Sequence, residues 1–475
     1  MKPWHARTLA AATWALPAVV TLLVCLVDLG RPALWQDELA TWSATTRSLP
    51  GLVQLVMHVD GVLVGYYALM HGWVALVGVS PVALRLPSAV AMAATTAVVA
   101  VIGSRLFGRR AGLLASLLLA ALPAVSTYGQ EARAYALTML LAATSTLLLL
   151  RLVERASWGR ALAYGLGLGA LGASQLTAVL LVGAHLVAVL ASRRDPGPLT
   201  RRWLTAVATA AIGLAPLVYV GHRQRDQVGW IPRTSWHTVA DLPTQLAGAT
   251  WPAVLVLTLA LVALGRRERG IALCLVTAVV PVLGLLAISA VTPLFLPRYL
   301  LPTLVGWALL AGAALARAPR PVALLALVAV AATGLPAQLV LRGPTKNDQP
   351  DYRAIAHVMV NHTRPGDAVV VPTAAGVRFR VGVLAYLPAT AWPQDALVVQ
   401  DAATARRLDA RECRPATCLG SPQRLWVGCR GACTGPLGSL APEPARLLRA
   451  RGYRLVREWV VQGGAVSLLR PPAAR

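Results

Sequence analysis

Along the chain, apolar residues come in long runs separated by short stretches that carry nearly all the charge. A helix needs about 20 apolar residues to cross the hydrocarbon core of a bilayer, and shorter runs suffice within polytopic bundles. Eleven spans are expected on that basis, near 9–29, 84–103, 111–127, 135–152, 160–176, 177–191, 203–221, 251–265, 270–291, 298–316 and 321–341. The run 60–79 is apolar enough to cross too, but it reads as lying in the interface or re-entering. After 342 the pattern changes to helix 351–363, strand 368–372, strand 424–429, helix 443–451 and strands 453–462 and 465–470, the last two joined at Gly463-Gly464.

Charge parity decides how 60–79 is read. If it does not cross, one side receives Lys2 and Arg7, then Arg105, Arg109 and Arg110, then Arg151, Arg155 and Arg160. The same side receives Arg193, Arg194, Arg201 and Arg202, then Arg266, Arg267 and Arg269, then Arg317 and Arg320. Short cytoplasmic loops collect Lys and Arg, so this side is the cytoplasm. If 60–79 crossed, the basic loops would divide between the two faces. The non-crossing topology puts the loop 30–83, the loop around Glu131, residues 222–250, Pro297-Arg298-Tyr299 and the tail outside together.

Composition agrees. Hydrophobic residues make up 57% of the 475 and charged ones only 13%, against about 25% in soluble proteins. The expected fold is an α-helical polytopic membrane bundle over 1–341, with a small extracytoplasmic α/β domain over 342–475. The net charge of +25 does not indicate nucleic acid, because the arginines sit in loop clusters rather than on one contiguous face. The first apolar run is longer than a signal-peptide core and lacks a convincing cleavage site, so it reads as a retained span. Cys413, Cys418, Cys429 and Cys433 all fall in the tail, where an oxidising exterior most simply makes two disulfides of them. A zinc site is the rival.

Candidate chemistry gathers on the outer side. Asp37 and Glu38 follow the first span, flanked by Trp35, Leu39 and Trp42. Adjacent acids at a membrane surface are costly to hold, and a carboxylate among apolar groups gains proton affinity, which suits a general base. Asp60, in His58-Val-Asp60-Gly61, is a second acid at the start of the interfacial run, with helix capping as its bland alternative. Glu131 and Arg133 lie between Tyr128 and Tyr135, where a structural ion pair would also explain them. Arg85, Arg133 and Arg298, the last beside Tyr299, are outer-side arginines at span boundaries. A guanidinium grips phosphate in a bidentate fork and stays charged, so these three are candidates for holding a lipid phosphate; snorkelling is the alternative for each one. The loop 222–250 carries Trp230 and Trp236, belt anchors or platforms for sugar faces. There is no phosphate-cradling glycine loop, nucleophile elbow or HExxH motif.

In this order the residues resemble the GT-C class of integral-membrane glycosyltransferases. The similarity is carried by Asp37-Glu38, Tyr66-Tyr-Ala-Leu-Met-His71-Gly-Trp73, Ala83-Leu-Arg-Leu-Pro-Ser88, Arg105-Leu-Phe-Gly-Arg-Arg-Ala-Gly112, Gln130-Glu-Ala-Arg-Ala-Tyr135 and Pro297-Arg-Tyr-Leu-Leu-Pro302. It is strongest to the bacterial branch related to protein O-mannosyltransferases and aminoarabinose transferases, whose actinobacterial members are usually labelled mannosyltransferases. The resemblance covers roughly residues 1–340. It implies a polyprenyl-phosphate-sugar donor, with mannose as the leading sugar, and a glycan, glycolipid or protein acceptor. It also implies that the first-loop acid Asp37 is the base, beside Glu38 and Asp60. No nucleotide is expected, and a divalent metal is left open. Relatives often carry a His or Pro-Pro before the Tyr-Tyr pair, where this chain has Gly61-Val-Leu-Val-Gly65. The competing readings are a transporter or lipid flippase, which should show internal repeats and midplane charges, and a non-catalytic assembly protein.

Overall fold

The computed structural model describes residues 3–192, 196–266, 268–371, 378–430, 437, 440 and 442–472. They fall into two compact units. The first comprises Met1–Val27, Asp60–Tyr66 and Arg85–Val340, and the second Asp28–Val59, Tyr67–Leu84 and Leu341–Arg475.

The first unit is helical, and each of the eleven expected spans is helical over most of its length. Pro81–Phe107, Tyr135–Glu154, Gly197–Arg223, Arg269–Ser289 and Arg320–Leu341 are each long and apolar enough to cross a bilayer. The rest are shorter or broken. The span expected at 111–127 is two helices, Arg109–Ala121 and Pro123–Gly129, bent by 67°. Pro123, which has no N–H to continue the first helix, opens the second. The span expected at 177–191 opens as a 3-10 turn, Leu176–Leu180. The one expected at 298–316 opens as another, Pro297–Leu300, and turns α-helical only at Thr303, after Pro302. The run 60–79 forms a 3-10 turn, Gly61–Leu63, and the helix Val64–Val77. At 14 residues that helix is roughly 21 Å long, short of a core of about 30 Å.

Lipid-type surface is plain on two helices. Gly197–Arg223 and Arg320–Leu341 bury only 11% of their most apolar windows. Leu204, Ile212, Val218, Leu325 and Leu339 are among the large side chains they leave exposed, a surface too apolar to face water. Inside the bundle, small residues let backbones touch. A Cβ on Gly312 would meet the Ala115 backbone nitrogen at 2.6 Å, so the helices Arg109–Ala121 and Thr303–Leu315 pack at the closest range.

The two ends of this unit differ chemically. At one end the arginine loops touch each other. Arg105 pairs with Glu154 at 2.9 Å, Arg110 donates to the Ala318 carbonyl at 2.6 Å, and Arg317 pairs with Glu268 at 2.5 Å. Arg202 donates to the Ala156 carbonyl at 2.5 Å, and both Arg201 and Arg202 lie over the Trp158 ring. Loops grouped together by charge parity are thus neighbours in space. At the other end lie Gln130, Arg133, Gln175, Trp230 and Arg298, joined by contacts described below.

The second unit is built on a five-stranded sheet ordered β2-β1-β5-β7-β6, with β1 Ala368–Val370, β2 Gln394–Asp395, β5 Leu425–Arg430, β6 Arg454–Val461 and β7 Gly464–Arg470. β1 pairs in parallel with β2 and β5, while β5–β7 and β7–β6 are antiparallel. Two short strands, β3 Val398–Gln400 and β4 Arg411–Glu412, pair separately. The tail helices Tyr352–His362 and Pro442–Ala450 and the three longest strands match the expected elements. The hairpin turn shifts by one residue. Gln462-Gly463 forms it, with Gly463 at φ +74°, while Gly464 already pairs within β7. The helix Phe379–Leu384 was not foreseen. A disulfide joins Cys413 to Cys418, and Cys429 is also disulfide-bonded, whereas Cys433 lies outside the described residues.

Candidate active site

The acid pair sits on a short helix of the second unit, Gln36–Thr45. Trp35 is its N-cap, in extended conformation, and the Trp35 backbone N–H donates to the Glu38 carboxylate at 3.3 Å. This is the returning half of a capping box. Both acids lie in the first turn, where the helix dipole favours negative charge. Their surroundings separate them. Glu38 is wholly buried and caps its own helix, while Asp37 is half-buried. The indole N–H groups of Trp35 and Trp42 are shielded from solvent and have no acceptor among the described residues. At the far end of the helix, the Thr45 carbonyl meets the His71 ring at 3.1 Å.

In the first unit, Gln130 is fully buried, and its amide donates to the Cys25 and Val27 carbonyls at 2.9 and 2.7 Å. It thereby ties the loop around Glu131 and Arg133 to carbonyls at the end of the first helix. Sequence reasoning missed this role. Glu131 is buried, and its carbonyl accepts from the Arg133 backbone N–H at 2.8 Å. The Ser88 hydroxyl donates to the Arg133 carbonyl at 3.5 Å.

Tyr128 and Tyr135 meet edge to face, with centroids 5.5 Å apart. The Arg298 guanidinium lies 5.8 Å from the Tyr135 ring and 5.7 Å from the Trp230 ring, so two aromatic faces hold one cation. The Tyr299 carbonyl accepts from Gln175 at 3.2 Å. Arg85 has no exposed surface, which excludes the snorkelling alternative for that residue. Asp60 is the N-cap of the 3-10 turn, in left-handed conformation, but its side chain makes no cap bond. Its backbone N–H donates to Gln227 at 3.0 Å, and that of Gly61 to Gln224 at 2.8 Å.

The structure therefore gathers Tyr128, Tyr135 and Arg298 in one cluster and adds Trp230 to it. It holds Glu131 and Arg133 on one loop, and sets Asp37 and Glu38 in the second unit. Among the described residues, no group of three or more His, Cys, Asp and Glu side chains is placed to hold a metal ion.

The chain is similar to the apo crystal structure of ArnT from Cupriavidus metallidurans, with a TM-score of 0.64, 16% identity, and 97% of this chain and 98% of that one covered. The chain has the GT-C fold. The GT-C fold and its apolar helices make this a multi-pass membrane protein. ArnT bound to undecaprenyl phosphate matches with the same TM-score of 0.64 and 16% identity, covering 96% and 98% of the two chains. The Archaeoglobus fulgidus oligosaccharyltransferase, in complex with Zn and sulfate, matches at TM-score 0.53 and 12% identity over 93% of this chain and 71% of that one. Residues 63–220 match a family model described as dolichyl-phosphate-mannose-protein mannosyltransferase. No curated protein sequence matches significantly.

Proposed function

We propose that this protein is a membrane glycosyltransferase that moves a sugar, with mannose the leading choice, from a polyprenyl-phosphate donor to an acceptor hydroxyl outside the cytoplasm. The observation that carries the reading is the fold shared over 96% of this chain with a protein whose structure holds undecaprenyl phosphate. The family match over 63–220 supports mannose. The clustered arginine loops support a cytoplasmic end for the bundle, which leaves the end bearing Arg298 and Trp230 outside.

In this reading Asp37 takes the proton of the acceptor hydroxyl. The freed oxygen attacks the anomeric carbon from the face opposite the phosphate. The new glycosidic bond forms as the bond from carbon to phosphate oxygen breaks, so configuration inverts and polyprenyl phosphate leaves. Asp37 later returns its proton to solvent. Glu38, fully buried and capping, keeps the helix in place beside Asp37 in this reading. Arg298 and Arg133 hold the phosphate and stabilise the charge that develops on it, while Arg85, with no exposed surface, adds positive charge from within the same unit. The aromatic faces of Tyr135 and Trp230 hold the Arg298 guanidinium for that task. Glu131, Tyr128 and Tyr299 shape the same end, and the Trp35 and Trp42 N–H groups are donors suited to sugar hydroxyls.

The test is sugar transfer from radiolabelled polyprenyl-phosphate-mannose by membranes carrying wild type or Asp37→Asn at matched protein levels. Transfer by wild type and loss by at least about 100-fold in the variant is the expected result, the range of a lost general base. Undiminished transfer by Asp37→Asn would remove Asp37 from this role.

A further inference from the structure

The helix Gln36–Thr45 is too short to hold its own direction. An isolated helix below about 12 residues is marginal in water, so its aim must come from what grips its ends. Within the second unit the tail grips both. Before the helix, the buried Leu34 N–H donates to the Tyr386 hydroxyl at 2.8 Å, and the Ala33 N–H to the Pro344 carbonyl at 2.8 Å. Arg353 stacks over the Tyr386 ring at 5.3 Å and donates to the Gly30 carbonyl at 2.8 Å. After the helix, Arg47 reaches back to the Ser43 carbonyl at 3.0 Å and outward to the Ala402 and Arg407 carbonyls at 3.2 and 2.5 Å. The receiving loop is itself preformed. The Asp401 carboxylate accepts from the Ala403 and Thr404 N–H groups at 2.8 and 2.9 Å and from the Thr404 hydroxyl at 2.8 Å. Between the two grips the helix packs on Phe379–Leu384.

We infer that Tyr386 and Arg47 are positioning residues, through which the tail aims the helix that carries Asp37. Neither touches the reacting atoms. Tyr386 supplies an acceptor to backbone just before the N-cap, and Arg47 joins the last turn to two tail carbonyls, so together they set the tilt and rotation of the helix. This inference rests on the reading of Asp37 as base. It adds that the tail, whatever else it binds, is part of the catalytic unit, because an error of about 1 Å in placing a reacting group can cost about 100-fold in rate.

The experiment uses full-length protein in detergent with three variants, Tyr386→Phe, Arg47→Met and Arg47→Lys, and two measurements. In transfer from polyprenyl-phosphate-mannose, Tyr386→Phe and Arg47→Met should lower kcat by about 10- to 100-fold. The donor KM should stay within about twofold, and Arg47→Lys, which keeps a cationic donor, should recover part of the loss. In amide hydrogen exchange, protection over residues 36–45 should fall in the two disruptive variants, while the sheet strands β5 and β7 keep theirs. A purely structural role would instead loosen the whole tail and lower the yield without splitting kcat from KM. Wild-type kcat in all three variants, in a preparation where wild type is active, overturns the inference and leaves the glycosyltransferase reading intact. If wild type transfers nothing, that reading fails on its own account, and exchange still decides the grip: unchanged protection over 36–45 overturns it, and a local loss supports it.

Discussion

Trp230→Leu offers the sharpest test of the cation held between two rings. A cation–π contact contributes roughly 0.5–1 kcal/mol at an exposed site and about 2 kcal/mol where it is desolvated. Trp230 is 62% exposed and Tyr135 only 6%, so the Trp230 face belongs at the low end and the Tyr135 face near the high one. Tyr135 is also packed edge-on against Tyr128, so its removal would disturb more than Arg298. Trp230 is therefore the cleaner perturbation. Losing roughly 0.5–1 kcal/mol of grip should lower kcat/KM for the donor about two- to fivefold. Arg298→Met should cost more, since a hydrogen bond to a charged group contributes about 1.5–3 kcal/mol. The double variant should resemble Arg298→Met alone, because the ring then has no cation to hold. The assay is a double-mutant cycle on kcat/KM for polyprenyl-phosphate-mannose in purified protein, with thermal stability followed alongside. A coupling energy of about 0.5–1 kcal/mol is expected. Effects that add to within about 0.3 kcal/mol would refute the idea that Trp230 acts through Arg298.

Two further expectations concern stability. Asp367 is buried and accepts from Arg424 at 2.7 Å, from the Trp426 indole at 2.7 Å and from the Arg364 N–H at 3.0 Å. Burial alone would raise its carboxyl pKa, but those bonds and the Arg424 charge outweigh it and hold the carboxyl below its ordinary value. Its stabilisation is thus present above the unfolded value near 3.8 and is lost as pH falls through the lower native one. Asp367→Asn should cost about 3 kcal/mol at neutral pH and blunt the acid sensitivity of the tail, read by hydrogen exchange in β1 and β5. Gly312→Val should lower the melting temperature and the yield of folded protein by overpacking the Ala115 contact, at a cost of at least about 1–3 kcal/mol; an unchanged melting temperature would show that these helices can separate freely.

The sequence by itself determined the helical bundle, the grouping of the basic loops with one another and most of the sheet. Lipid leaves the backbone no partner but its own helix, so an apolar run of the right length has little choice of structure. Arginine in a short loop reports its side through a cost that acts locally. The tail hairpin was legible because alternation and a two-residue glycine turn are also local signals. The candidate site was legible as residue types: Asp37, Arg298, Tyr135 and Trp230 all stand out in the sequence. Their assignments to one another were not. Only the tertiary structure showed that Arg298 lies between Tyr135 and Trp230, that Glu38 caps its own helix, and that Gln130 bonds the end of the first helix. Only it joined Leu34 to Tyr386 and Arg47 to Arg407, across sequence separations of 352 and 360 residues. Periodicity reports which face of an element is apolar and says nothing about which distant loop it meets. That choice is made by packing, when backbone groups left over at helix ends find whatever donors and acceptors the folded chain brings to them.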